Sequence, residues 1–376
     1  MKAFQRKAMS TVIAVGMMSL AGAASAQTVN GAGATLPQPL YEDLFGLDGS
    51  SKDVIGDWTY AGGGSGSGKS RFLTTTNTVH FAGSDSALTA AENGTYNTSR
   101  RAAWGPMIQI PAVLTSVTLP FKAPNGTTLA DGLNLTRDQV CGIFANRINT
   151  WGQLLGTSNT TPVSVVYRSE TSGTTELLSN FLVAACPASD GFQKSNLFTT
   201  VVANIGGIPA NWVAATGSSG AETALAQPGR IGYLSPSYGF KPSDATVVAK
   251  IGGALPSAIT FPATATPPAG GARNVPVNWV PAYSLPSSAA VYPIYGTTNL
   301  LAGQCYTGGI GADSVGGAVK DFITKLNNGS YDTQIAEHFF VKLPDNWNTA
   351  IKEAFLTASS SLDIGNTSVC NGVGRP

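Results

Sequence analysis

The 376-residue chain is short of ionisable side chains. It has 22 Lys and Arg, 21 Asp and Glu, and two histidines, His80 and His338. So few histidines leave little from which to build a zinc site or a His-based catalytic relay. No G-x-S-x-G elbow occurs, and no Asp/His cluster has the spacing of a two-metal hydrolase. A basic excess is also missing, which argues against a nucleic-acid partner. There are four cysteines, Cys141, Cys186, Cys305 and Cys370, and no two have C-x-x-C spacing. After residue 26 no apolar run is long enough to span a bilayer.

What is present first is an export signal. Lys2, Arg6 and Lys7 precede an apolar stretch from Met9 to Ala23, and Ala24-Ser25-Ala26 is an A-x-A cleavage site before Gln27. No Cys follows that site, so no lipid anchor is expected. Cleavage would leave 19 basic against 21 acidic residues. The reading is an exported protein, periplasmic or secreted, of about two domains. An even cysteine count in an oxidising compartment suggests two disulfides. Of three possible pairings, Cys141–Cys186 with Cys305–Cys370 keeps each bridge inside one expected domain.

The chain is organised around Val165 to Leu178, which reads as a short β-branched strand, a polar turn and a helix. The helix follows from apolar residues at Leu177, Leu178, Phe181, Leu182 and Ala185. A helix start carries unpaired N–H groups and partial positive charge, which suits an anion. Ser172 and Thr174 add hydroxyls, Gly173 permits close approach, and Arg168 offers a planar fork for phosphate or carboxylate.

Three other stretches have similar chemistry. Asn30 to Pro37 reads as a glycine-rich turn before a helix through Leu40, Tyr41 and Leu44. Asp57 to Tyr60 reads as a strand running into Gly63-Gly64-Ser65-Gly66-Ser67-Gly68-Lys69-Ser70, which matches the P-loop pattern. An exported protein meets little ATP, and no strand ending in a magnesium-binding Asp follows. The run is therefore taken as a nest of donors for an oxyanion. Val79 to Ser86 reads as a strand ending at Asp85. A carboxylate repels an anion unless the anion brings a proton. Hydrogen phosphate does and sulfate does not, so Asp85 would act as a filter between them. Alternatively Ser84, Asp85 or Ser86 caps a helix through Leu88 to Glu92.

Further along, Ile108 to Phe121 reads as a long extended run and Thr136 to Trp151 as one helix. Gly229 to Leu234 reads as a strand, Pro256 to Pro286 as a surface excursion and Val291 to Tyr295 as a return strand. Helices are expected over Val319 to Leu326 and Asp345 to Leu356, the latter capped by Asp345.

Gly31-Ala32-Gly33-Ala34-Thr35-Leu36-Pro37, Gly64-Ser65-Gly66, Ala82-Gly83-Ser84-Asp85 and Arg168-x-x-x-Ser172-Gly173-Thr174-Thr175 occur in this order. So do Leu343-Pro344-x-Asn346-Trp347 and Cys370-Asn371-Gly372 near the end. Together these resemble the periplasmic phosphate-binding proteins of ABC importers, most closely their DING branch. At the position of the branch's Asp-Ile-Asn-Gly start stands Thr28-Val29-Asn30-Gly31, which keeps only Asn-Gly.

The resemblance implies a type II periplasmic binding protein, a Venus flytrap of two α/β domains joined by two extended crossovers. Residues 27–113 with 290–376 would form domain I and 114–289 domain II, hinged near Ala112–Ser116 and Pro281–Pro293. Thr35, Leu36 and Ser65 would donate to phosphate, and Asp85 would accept its proton. Arg168 would neutralise charge, while Ser172, Gly173 and Thr174 would cap the anion from the other domain. The expectation is a monomeric binding protein and not an enzyme, without cofactor or metal, delivering phosphate to an ABC permease or scavenging it outside the cell. Two other readings are a secreted phosphoesterase and an adhesin on the same scaffold. A fully closed pocket would exclude an ester's leaving group.

Overall fold

The computed structural model describes residues 27–75 and 78–376, so the expected signal segment, 1–26, lies outside the described residues. In chain order the first elements are β1 (Thr28–Gly33), α1 (Gln38–Phe45), β2 (Asp57–Gly62), α2 (Ser65–Leu73) and β3 (Phe81–Ser84). Next come α3 (Ala90–Ser99), α4 (Arg101–Trp104), β4 (Met107–Ser116), β5 (Phe121–Lys122) and β6 (Asn134–Leu135). The middle of the chain forms α5 (Arg137–Phe144), α6 (Trp151–Leu155), β7 (Ser164–Arg168), α7 (Gly173–Ala185), α8 (Phe198–Val201), β8 (Val213–Ala215), α9 (Gly217–Leu225) and β9 (Arg230–Gly232). Last are β10 (Lys250–Ile251), β11 (Tyr295–Gly303), α10 (Val315–Asn328), α11 (Asp332–Glu337) and α12 (Asp345–Ile351).

Two mixed sheets carry the fold. One has the order β2-β1-β3-β11-β4, with β1 parallel to β2 and β3, and β11 antiparallel to β3 and β4. The other has the order β5-β9-β7-β8, with β7 parallel to both neighbours. Strand β10 pairs with β6. The chain leaves the first sheet through β4 and re-enters it through β11. Each sheet has its own aromatic packing. Phe45 stacks on Trp58 with centroids 4.6 Å apart and meets Phe322 of α10 edge-on. Around the second sheet Phe198 stacks on Tyr233 and touches Phe144.

Several local expectations change. Asn30 to Gly33 is strand, not turn, lying between β2 and β3. Its glycines mark close packing: a Cβ on Gly31 would stand 2.2 Å from the Phe81 ring, and one on Gly33 2.1 Å from the Gly83 carbonyl. Helix α3 is capped by Thr89, in a capping box with Glu92, so Asp85 is released from that role. The expected helix from Thr136 to Trp151 is two, α5 and α6, and Asn146 stands between them at φ 57°. Pro344, not Asp345, precedes the first turn of α12. The 256–286 segment is no mere surface excursion. Trp279 is fully buried against Phe355, and the Pro276 carbonyl accepts a hydrogen bond from Gln109 of β4. This cover, with the antiparallel bridge from Leu114 to Val341, helps bury β4 along all ten residues although it is an edge strand. Pro111 pairs with Asn299 beside a register shift, a position where a strand tolerates the missing N–H.

Candidate functional site

Parallel strands followed by helices bring their carboxyl ends, and the starts of those helices, to one edge of a sheet. Here the two sheets turn those edges toward each other. Thr35 follows β1, Ser65 opens α2 after β2, and Asp85 follows β3. From the other sheet come Arg168 at the end of β7, Gly173 at the start of α7, and Ser218 in the first turn of α9. All six are buried.

Contacts between the two sides are short. Thr35 Oγ1 accepts from Arg168 Nη2 at 3.0 Å and from the Ser218 backbone N–H at 3.2 Å. Ser235 Oγ donates to the Leu36 carbonyl at 2.8 Å, and Tyr238 donates to the Thr35 carbonyl at 2.7 Å. A Cβ on Gly173 would lie 2.4 Å from Ser65 Oγ and 2.5 Å from Asp85 Cβ. Glycine is therefore required where α7 meets the first sheet. The Asp85 N–H donates to Ser65 Oγ at 3.0 Å, which turns the carboxyl inward from a fixed loop.

The site holds several buried polar atoms without a partner, namely Asp85 Oδ1, Thr174 Oγ1, Tyr41 OH, Thr298 Oγ1 and Glu170 Oε2. Such atoms are rare in a packed interior and call for a ligand or a functional reason. Burial pushes the Asp85 carboxyl up to about 7. The Thr298 hydroxyl, Arg168 and Ser65 partly offset this, and Glu176 adds to it.

Arg168 is only 2 % exposed, and its guanidinium is held by Glu170. Its Nε donates to Glu170 Oε1 at 2.7 Å and its Nη1 to Ser218 Oγ at 3.3 Å. Glu170 Oε1 also accepts from the Gly217 N–H at 3.1 Å, tying α9 to the same cluster. Ser172 caps α7 by accepting from the Thr175 N–H, and its own N–H donates to the Asn196 carbonyl.

The structure thus gathers Thr35, Leu36, Ser65, Asp85, Arg168, Ser172, Gly173 and Thr174 into one buried region. Sequence reasoning missed Glu170 and Ser218. Ser218 had a readable signal, because Thr216-Gly217-Ser218 repeats the strand, glycine, hydroxyl pattern of the α7 start. Lys69, the P-loop lysine by spacing, turns elsewhere. It is buried and pairs with Glu92 at 3.0 Å and with the Ala87 carbonyl. The two disulfides, Cys141–Cys186 and Cys305–Cys370, lie apart from the site residues in the sequence and stitch α5 to the end of α7 and β11 to the C-terminal segment.

A family model described as a PBP superfamily domain matches residues 19–324. A Pseudomonas aeruginosa protein named alkaline phosphatase L is 42% identical, over 96% of this chain and 97% of its own length. Among solved structures, a phosphate binding protein from Stenotrophomonas maltophilia superposes with a TM-score of 0.82 at 37% identity, over 93% of this chain and all of its own. A high affinity periplasmic phosphate-binding protein, PfluDING, solved with phosphate bound, does so with a TM-score of 0.80 at 41% identity over the same shares.

Proposed function

This chain belongs to the PBP superfamily, with the type II periplasmic binding protein fold, and we propose that it binds one hydrogen phosphate ion with high affinity between its two sheets. The observation that carries the reading is the pairing of the buried Asp85 carboxyl, whose Oδ1 is unpartnered, with a wall of donors from both sides. The N–H groups at the starts of α2 and α7, the hydroxyls of Thr35, Ser65 and Thr174, and Arg168 supply the donors. Asp85 supplies an acceptor, which an anion meets by sharing a proton with it. Ser172 fixes the start of α7, and Leu36 offers its backbone N–H.

In this reading residues 27–113 with 290–376 form one domain and 114–289 the other, except that the stretch 256–286 packs on the first domain through Trp279 and Pro276. Opening is a hinge at the crossovers, as in other two-lobed binding proteins. Release follows opening, because Gly173 and Ser65 would part. Among the described residues no helix is long and apolar enough to cross a membrane. A signal cleaved after Ala26, a periplasmic or secreted monomer, and delivery to an ABC permease or extracellular scavenging complete the proposal.

A second reading has one observation in its favour, the alkaline phosphatase name of the Pseudomonas relative. It requires turnover of a phosphate monoester. Calorimetry on ligand-stripped protein separates the readings, with phosphate, sulfate and magnesium ATP titrated in turn and a chromogenic monoester assayed on the same sample. One-to-one phosphate binding with silent sulfate and ATP is the expected result. Turnover that persists through purification and vanishes in Asp85→Asn would favour the second reading.

A further inference from the structure

The two oxygens of the Asp85 carboxyl face different surroundings. A Cβ on Gly173 would lie 2.7 Å from Oδ2, so that oxygen fronts the start of α7 and the proposed anion site. Oδ1 has no partner, and two hydroxyls outside the proposed phosphate set share that condition, Thr298 Oγ1 and Tyr41 OH. Both residues are fully buried. Strand register brings Thr298 to Asp85. Asn299 of β11 pairs with Ser84 of β3, which sets Thr298 opposite Asp85 with its side chain on the same face. Tyr41, on α1, lies against the strand two residues earlier. A Cβ on Gly83 would stand 3.1 Å from its ring, and residues two apart share a strand face. Burial raises the Tyr41 phenol and the Asp85 carboxyl, and the Thr298 hydroxyl, beside both, lowers each. Three unsatisfied polar atoms, from α1, β11 and the turn after β3, are thus gathered behind the anion site, where each calls for a functional account.

We propose that Thr298 and Tyr41 are positioning residues for anion selectivity, with Tyr41 donating to Thr298 Oγ1 and Thr298 donating to Asp85 Oδ1, so that Oδ2 stays an acceptor toward the anion. The inference rests on the phosphate-binding reading above and deepens it. A hydroxyl that donates to a carboxylate favours its ionised form. An ionised Asp85 repels sulfate and accepts the proton of hydrogen phosphate. Without the relay the carboxyl would hold its own proton to higher pH, and a protonated Oδ2 donates to either anion. Burial already lifts this carboxyl to about 7, so a further rise takes it through the range in which the two anions are told apart. Selectivity would then be lost through residues that touch neither anion. Burial also holds the Tyr41 phenol well above its ordinary range, which keeps it a donor. The other charged or titratable groups facing Asp85 are Arg168 from β7, Glu176 from α7 and the Tyr60 phenol from β2.

The test is calorimetry with sulfate and with phosphate, as a function of pH, on wild type, Thr298→Val, Tyr41→Phe and the control Thr298→Ser. Sulfate is the cleaner probe, because it carries no proton near neutral pH while phosphate titrates. Val and Phe keep the shape of the side chain and remove its hydroxyl. In wild type, sulfate binding is expected to appear only as the pH falls below about 7 and Asp85 takes up a proton. In Thr298→Val the onset should move up by about one pH unit, the size of a lost hydrogen bond to a charged group. Tyr41→Phe should move it the same way by less. At about pH 8 the ratio of sulfate to phosphate affinity should rise about tenfold in Thr298→Val. Thr298→Ser keeps the donor and should follow wild type. One onset shared by wild type and both hydroxyl-less variants, or sulfate silent in all of them, would overturn the inference. So would a Thr298→Ser onset that moves with Thr298→Val, which would trace the effect to packing. Wild type silent toward phosphate would overturn the reading beneath it, and this inference with it.

Discussion

At the scale of single residues, Asp85 has the most testable chemistry. Its folded pKa of about 7 lies above the ordinary 3.8, so between these values the folded protein keeps a proton that the unfolded chain releases. Stability of the ligand-free protein therefore falls as pH rises from about 4 to about 7 and stays lowered above that. Asp85→Asn should remove this slope. At pH 8 the variant should melt at a higher temperature than wild type, by an amount worth a few kcal/mol, and the two should converge near pH 4. The same variant should bind phosphate more weakly or lose its discrimination against sulfate. Parallel melting curves at every pH, with unchanged selectivity, would take Asp85 out of the site. Arg168→Ala should cost about 2–4 kcal/mol of phosphate affinity, because it removes a charge-assisted donor and leaves the half-buried Glu170 without its cation. A loss under about 0.5 kcal/mol would place Arg168 outside the pocket. The sequence made Asp85 and Arg168 legible because their chemistry is unusual for their surroundings. Glu170 was not legible, since a glutamate beside a proposed anion site reads as repulsive until its pairing with Arg168 is seen.

At the scale of elements, the proposed function rests on helix starts and the proposed closure on their packing. Gly173→Ala would put a methyl group into Ser65 Oγ and Asp85. Its backbone angles suit alanine, so the helix should survive. We expect a melting temperature close to wild type and phosphate affinity reduced at least tenfold, since even a small separation weakens every donor at once. Preserved affinity would show that α2 and α7 do not meet in the bound state. Lys69 gives the opposite pattern. Lys69→Met should lower stability by about 1–3 kcal/mol by stranding Glu92, and leave phosphate affinity nearly unchanged. A large affinity loss would restore the P-loop role. Periodicity revealed α7 and α10 because apolar residues recur along one face. It hid β1, where glycines replace the usual β-branched residues so that Phe81 and Gly83 can pack against the backbone. It also hid the break between α5 and α6, which depends on one left-handed Asn146.

At the scale of the whole molecule, motif order along the chain foretold the architecture better than local pattern did, because four loops from distant segments had to meet in one buried cluster. The covering role of residues 256–286 stayed hidden, since a Pro- and Ala-rich run carries no period and its anchors, such as Trp279, act only after folding. Replacing Cys305 and Cys370 by serine should lower stability by about 4 kcal/mol, the chain-entropy value for a bridge spanning 65 residues, measured by denaturant unfolding against wild type. Phosphate affinity should survive, since both cysteines lie away from the ligand loops. The position of β11 between β3 and β4 has a consequence in time. A chain emerging from its amino end completes β5, β7, β8 and β9 by residue 232, and that sheet is then ready to pack. The other sheet waits for residue 303, and until then β3 and β4 keep open edges that invite pairing with other chains. The ten residues of β4, all buried in the folded protein, are without cover through this interval, so the nascent protein is vulnerable in a strand it will finally bury along its whole length.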